Sequence, residues 1–253
     1  MSLSFVIGLL LSALIGLSLG MIGGGGSIIT VPVLVYALDV EAHQAISMSL
    51  AVVGATSLIG TSLHHQHKTV IWKIGFLFGS AGIFGAYFGS RLTYLFSPSA
   101  LLLIFAVIMI VVAIVMFTKN HEAIENSRTK LQPIQAILAG FGVGVLTGFL
   151  GVGGGFLIVP ALILFGGLAM KEAIGTSLLV IAINCAAGLA GHLQHNGFDV
   201  RLSLMVTVLA ILGALIGTNL SHRTSPDSLK KWFAIFVFLV GIFLVVRNFH
   251  ALI

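Results

Sequence analysis

Polar positions are sparse enough along this chain to act as punctuation between apolar runs. The runs cover roughly 3–20, 27–38, 43–63, 72–95 and 99–118, then 132–150, 155–168, 173–191, 200–220 and 229–248. Most approach ~20 residues, the length an α-helix needs to cross a ~30 Å hydrocarbon core at 1.5 Å per residue. They do not alternate over ~10 residues as the strands of a membrane barrel would. The pattern predicts an all-α polytopic membrane protein. The second run of each half is short: ~14 helical residues reach only ~21 Å. Each short run therefore crosses with help from extended residues before it, or re-enters and turns back.

A glycine-rich stretch precedes each short run. The first is Gly20-Met-Ile-Gly-Gly-Gly-Gly-Ser-Ile-Ile-Thr-Val-Pro32, and the second is Gly148-Phe-Leu-Gly-Val-Gly-Gly-Gly-Phe-Leu-Ile-Val-Pro160. Glycine clusters unwind a helix or let backbone approach a neighbour closely. At membrane depth such irregular backbone survives only where protein buries it or it lines a cavity. The two stretches align at an offset of 128 residues, and the alignment continues without a gap. His64-x-Gln66-His67 falls on His192-x-Gln194-His195, Gly85 and Gly89 fall on Gly213 and Gly217, and Ser97-Pro98 falls on Ser225-Pro226. Matched Pro, His and Gln go beyond shared greasiness, so the chain reads as an internal duplication. The expected units are a first transmembrane repeat (1–118), a polar linker (119–131) and a second repeat (132–253).

Charge discriminates between the two fates of the short runs. If they cross, each half has five spans and the halves are inverted. Lys68, Lys73, Lys119, Arg128, Lys130, Lys171, Arg223, Lys230 and Lys231 then share one side, against Arg91, Arg201 and Arg247. If they turn back, the arrangement is a parallel four-plus-four with re-entrant loops, and the same charges split seven to five. The positive-inside rule favours the inverted plan, with the N-terminus outside and the linker cytoplasmic. Five-plus-five inverted repeats are a recurrent plan among secondary transporters. Small residues spaced by four, such as Ser12, Gly16 and Gly20 or Gly140, Gly144 and Gly148, mark close helix packing.

Composition narrows the class. Of 253 residues 58% are hydrophobic and only 8% charged, with mean hydropathy +1.16. A soluble domain carries about 25% charged residues. A pI near 9.7 does not imply nucleic acid as a partner, because the basic residues are scattered over short loops. The lone Cys185 excludes an intrachain disulfide and reads as a small packing residue. The first run lacks a basic n-region and has a mid-chain counterpart, so it reads as a retained span rather than a signal peptide.

No Asp, Glu, Lys or Arg lies deep within an apolar run. A charged substrate would have to be held by neutral groups, which helix N-termini supply through unpaired N–H groups and a partial positive charge. The short helices, expected to begin near Ser27 and Gly155, can present such termini to a small anion if they converge near the midplane. Candidate substrate-binding residues are therefore Gly23, Gly24, Gly25, Gly26, Ser27, Gly151, Gly153, Gly154 and Gly155. Ser49 and Thr56 on the third run, with their counterparts Ser177 and Asn184 and with Thr176, are candidate hydroxyl and amide donors. Ordinary interhelical hydrogen bonding is their alternative role. Pro32 and Pro160 are expected to bend or restart the short helices. His64, Gln66 and His67, with His192, Gln194 and His195, are candidates for a gate or proton relay at opposite membrane faces. They also fit simple polar helix ends. No carboxylate or cysteine cluster supports a metal site, and nothing in the sequence calls for a cofactor or an enzymatic nucleophile.

These motifs together resemble the sulfite exporter TauE/SafE family, also called the 4-toluene sulfonate uptake permease family. The resemblance rests on Gly23–Pro32 and Gly151–Pro160, on Ala173-Ile-Gly-Thr-Ser-Leu178, and on His192 followed by Gly197-Phe-Asp199. The first half departs from it, with Ser47-Met-Ser49 in place of Gly175-Thr-Ser177. The resemblance implies a plasma-membrane permease for sulfite, sulfonates or related sulfur-containing organic anions. A passive anion channel and a permease for another small metabolite are the alternatives. Oligomeric state, direction and coupling ion have no signature in the sequence.

Overall fold

The computed structural model describes residues 3–92, 98–118, 133–150, 155–192 and 199–249. These residues form α1 (Leu3–Ile22), α2 (Gly25–Tyr36), α3 (Ala42–Gln66), α4 (Trp72–Leu92) and α5 (Pro98–Thr118). They continue as α6 (Pro133–Leu150), α7 (Gly155–Leu164), α8 (Met170–His192), α9 (Val200–Arg223) and α10 (Pro226–Phe249). Helix is the expected outcome, because in lipid each backbone polar group must be satisfied within its own segment. By length and composition, the segments Gln44–Gln66, Met170–Leu189 and Val200–Arg223 can each cross a membrane.

The outer surface is apolar. Leu10, Phe84, Leu138 and Leu204 are each more than 60% exposed. Such a surface would demand a partner in water, but hydrocarbon covers it at no cost. Polar side chains turn inward instead: Thr56, Ser57, Thr176 and Ser177 are all fully buried. The core is built around α7 and the first half of α8, where Gly155–Ile163 and residues 173–181 are buried on every side.

Small residues set the helix pairs and their directions. Gly16 rests on the Ala210 backbone, Gly20 on Ala214 and Thr218, and Gly217 on Leu17 and Met21, so α1 and α9 run side by side in the same direction. Gly140 rests on Phe78, Gly144 on Gly82, and Gly85 on Phe141 and Val145, so α4 and α6 are also parallel. These contacts repeat at the 128-residue offset: Gly16 on Ala210 corresponds to Gly144 on Gly82. In the crossing of α3 with α8, Gly54 meets Cys185, Gly60 meets Leu178 and Gly188 meets Leu50, so those two helices are antiparallel.

Helix α2 doubles back along α1. Gly26 packs on Ile15 and Leu19, and Leu38, just past the end of α2, packs on Gly8. Helix α3 then returns in the direction of α1, ending with His64 beside the Gly20 carbonyl. Pro32 and Pro160 lie inside α2 and α7, which run through them. Neither proline starts or stops its helix, so the expectation of a restart there is corrected. The helix begins at the glycines instead.

Gly142, on α6, is a useful contrast. A methyl group placed there meets nothing within 4 Å. Gly142→Ala is expected to be neutral or to stabilise by up to ~1 kcal/mol, the helix-propensity difference, read as an unchanged or raised melting temperature in detergent.

Candidate site where two helix N-termini meet

The break between α1 and α2 is held by one backbone conformation and two hydrogen bonds. Gly23 adopts φ +77°, the left-handed region that a side chain disfavours. Its N–H closes α1 by donating to the Leu19 carbonyl at 2.8 Å. Its carbonyl accepts from Ser177 Oγ at 2.6 Å, across 154 residues of sequence. Ser177 is the eighth residue of α8, so the break sits ~10 Å in from that helix's start at 1.5 Å per residue.

One residue on, the two short helices touch. Gly24 is the N-cap of α2 and makes no side-chain cap bond. The position a Cβ on Gly24 would take is filled by the Gly155 carbonyl, and the corresponding position on Gly155 is filled by Ser27 Oγ. Ser27 Oγ donates to the Gly24 carbonyl at 2.8 Å. A Cβ on Gly25 would meet Ser18 Oγ and the Phe236 ring. Ser18 Oγ is buried and has no hydrogen-bond partner among the described residues. The N-terminus of α2 thus abuts the N-terminus of α7, with two serine hydroxyls, an aromatic ring and no charged side chain in these contacts. Helix-terminal N–H groups and dipoles at such a junction favour negative charge.

The structure brings Gly23, Gly24, Gly25, Gly26, Ser27 and Gly155 to this junction, with Ser177 pinning it. Gly151, Gly153 and Gly154 lie outside the described residues, as do Gln194 and His195. Thr176 is engaged elsewhere. Its Oγ1 accepts from Ile71 N at 3.0 Å, tying α8 to the residue before α4. Ser49 is buried on α3. Thr56 Oγ1 and Asn184 Oδ1 are buried without partners among the described residues, as is Ser57 Oγ. Buried polar atoms left open in this way ask for a ligand, ion or water.

At the end of the bundle shared by α1, α3 and α9, His64 and His67 meet His222. The ring centroids of His67 and His222 are 3.7 Å apart, and those of His64 and His222 are 4.9 Å apart. Gln66 ends α3 there, exposed. His192 is the last residue of α8, which runs antiparallel to α3. Sequence reading missed Ser18 and His222. Neither has a counterpart that draws the eye, and each acquires a role only through a helix far along the chain.

The family model described as "Sulfite exporter TauE/SafE" matches residues 8–244. The chain belongs to the sulfite exporter TauE/SafE family. It is 32% identical over 251 residues to a probable membrane transporter protein of Xylella fastidiosa, covering 95% of this chain and 94% of that one. It is 29% identical over 230 residues to the probable membrane transporter protein YdhB of Bacillus subtilis, covering 88% and 93% of the two chains. A probable membrane transporter protein of Methanocaldococcus jannaschii is 27% identical over 261 residues, covering 95% and 97%. No solved structure matches the chain. This TauE/SafE member is a multi-pass membrane transporter.

Ser177 offers a local test of the junction. Ser177→Ala leaves the buried Gly23 carbonyl without its donor, which costs ~1–3 kcal/mol. The expected result is a lower melting temperature together with slower transport, since the residue that loses support is the pivot of the break.

Proposed function

We propose that this protein is a secondary transporter of a small anion, with sulfite, sulfonates and related sulfur-containing organic anions as the favoured substrates. The observation that carries this reading is the abutment of the α2 and α7 N-termini, glycine on glycine. The anion binds there to backbone N–H groups of the α2 and α7 starts, including those of Gly25, Gly26, Ser27 and Gly155, with the Ser18 and Ser27 hydroxyls beside them. Neutral donors suit alternating access: the empty site buries no uncompensated charge, so the unloaded transporter can reorient. Thr56 and Asn184 extend the polar path from α3 and α8.

The two halves, 1–118 and 132–253, are inverted repeats joined by the cytoplasmic linker 119–131, with the N-terminus outside the plasma membrane. In support, the equivalent helices α3 and α8 are antiparallel, α2 returns along α1, and the glycine contacts repeat at the 128-residue offset. Lys171 Nζ donates to the His222 carbonyl, so the start of α8 lies beside the end of α9. The family's description supports the sulfur substrates.

The test is flux of a panel of sulfur anions through purified protein in proteoliposomes. Saturable uptake with countertransport of at least one sulfur anion is expected. Dissipation of gradients at channel rates without countertransport would replace the transporter reading with a passive anion channel. Selective flux of carboxylates alone would reassign the substrate.

A further inference from the structure

We propose that His64 is the proton-binding site that couples anion movement to a proton gradient; this rests on the transporter reading above. His64 is fully buried in the last turn of α3. Its Nε2 lies 3.2 Å from the Gly20 carbonyl, and a carbonyl only accepts, so Nε2 carries a hydrogen. Its Nδ1 lies 3.0 Å from Thr69 Oγ1, which is also 3.0 Å from the His64 carbonyl. Thr69 has one hydroxyl hydrogen for these two acceptors. In the neutral ring that hydrogen points to Nδ1. When a proton arrives on Nδ1, the new N–H donates to Oγ1, and the hydroxyl hydrogen turns to the His64 carbonyl. Both charge states are fully hydrogen-bonded, and only a hydroxyl has rotated.

The surroundings convert that proton into force. His222, 4.9 Å away ring to ring, carries the stacked His67 on its own ring. Lys171 holds the His222 main-chain carbonyl at 3.0 Å. Lys68 and Arg223 stand exposed at the same end, with Lys73 exposed on α4, Asp227 and Lys231 exposed at the start of α10, and Lys230 buried between them. The Glu172 carboxylate is engaged by Ala169 N, and α1 contributes no titratable side chain. A charged His64 strengthens its bond to the Gly20 carbonyl, because charge-assisted bonds are the strong ones. It also repels the cationic end of α9. Gly20 is three residues from Gly23, so the proton acts on the segment that leads into the α2–α7 junction. Thr218 Oγ1, Ser221 Oγ and His222 Nε2 are buried without partners among the described residues, and they supply polar stations along the last turns of α9. The same histidines do not form a metal-binding group among the described residues.

The test uses radiolabelled 4-toluenesulfonate, whose sulfonate stays ionised across the working pH range, in proteoliposomes. Wild type is expected to accumulate it under an inward proton gradient and to exchange it at equal pH. His64→Gln is expected to lose gradient-driven accumulation while keeping equal-pH exchange, which itself shows the variant is folded. His222→Gln removes a neighbouring imidazole and is expected to move the half-maximal pH of uptake upward, an effect a merely structural role would not produce. Undiminished accumulation by His64→Gln overturns the assignment. Wild type that exchanges the anion without responding to the gradient overturns it too, yet leaves the anion reading intact. Wild type that exchanges no sulfur anion at all overturns both.

Discussion

Gly24→Leu and Gly155→Leu are each expected to bring anion flux to background while the protein still inserts and purifies. The Cβ position of Gly24 is already taken by the Gly155 carbonyl oxygen, and that of Gly155 by Ser27 Oγ. At Gly24 the obstructing atom is backbone, so no side-chain rotation relieves the clash. Overpacking of a tight site costs ~1–3 kcal/mol, and here it is relieved only by pushing the α2 and α7 termini apart. A leucine side chain would also screen the N–H groups that the proposed anion uses. Gly24→Ala isolates the first effect, since it adds the clash without the bulk. Flux measured at matched protein content, beside the harmless Gly142→Ala, decides the matter. Normal transport by both leucine variants would remove the helix-terminus site.

The second large effect concerns stability. A Cβ on Gly16 would fall on the Ala210 carbonyl, and one on Gly144 on the Gly82 carbonyl. Gly16→Leu and Gly144→Leu therefore force α1 off α9 and α6 off α4. A cost near ~3 kcal/mol corresponds to a fall of roughly 10 °C in melting temperature for a chain of this size. Close backbone packing carries helix association in lipid, where no hydrophobic drive separates helix from tail. Thermal unfolding in detergent, followed by size-exclusion profile, reads the effect. The two substitutions are expected to be similar in size. A large fall for one and none for the other would show that the two interfaces are not energetic equivalents.

Much of this architecture was legible before any tertiary contact was known. Apolar run length marked the helices, with boundaries shifted by only a few residues, as at α1, which ends at Ile22. The four consecutive glycines at Gly23–Gly26 marked the break, since helix packing alone rarely uses so many. The prolines do not restart their helices: each lacks one donor, yet a helix in protein surroundings runs through it. The polar candidates divided in a way no spacing could foretell. Ser177 holds the break and Thr176 holds the neighbouring loop, although they are adjacent on one helix.

By itself the sequence determined the class: helices in lipid, two glycine-led short segments, no charged residue deep within an apolar run, and the family. These follow from local properties, namely run length, residue type and spacing, which lipid reads one segment at a time. The tertiary structure alone decided which distant groups meet. Gly24 lies against Gly155, Ser177 reaches Gly23, and His222 joins His64 and His67. Each contact depends on the rotation and relative shift of helices far apart in the chain, set by glycine contacts such as Gly16 on Ala210. One residue of register would carry these groups to another helix face, and no single-segment pattern records that register.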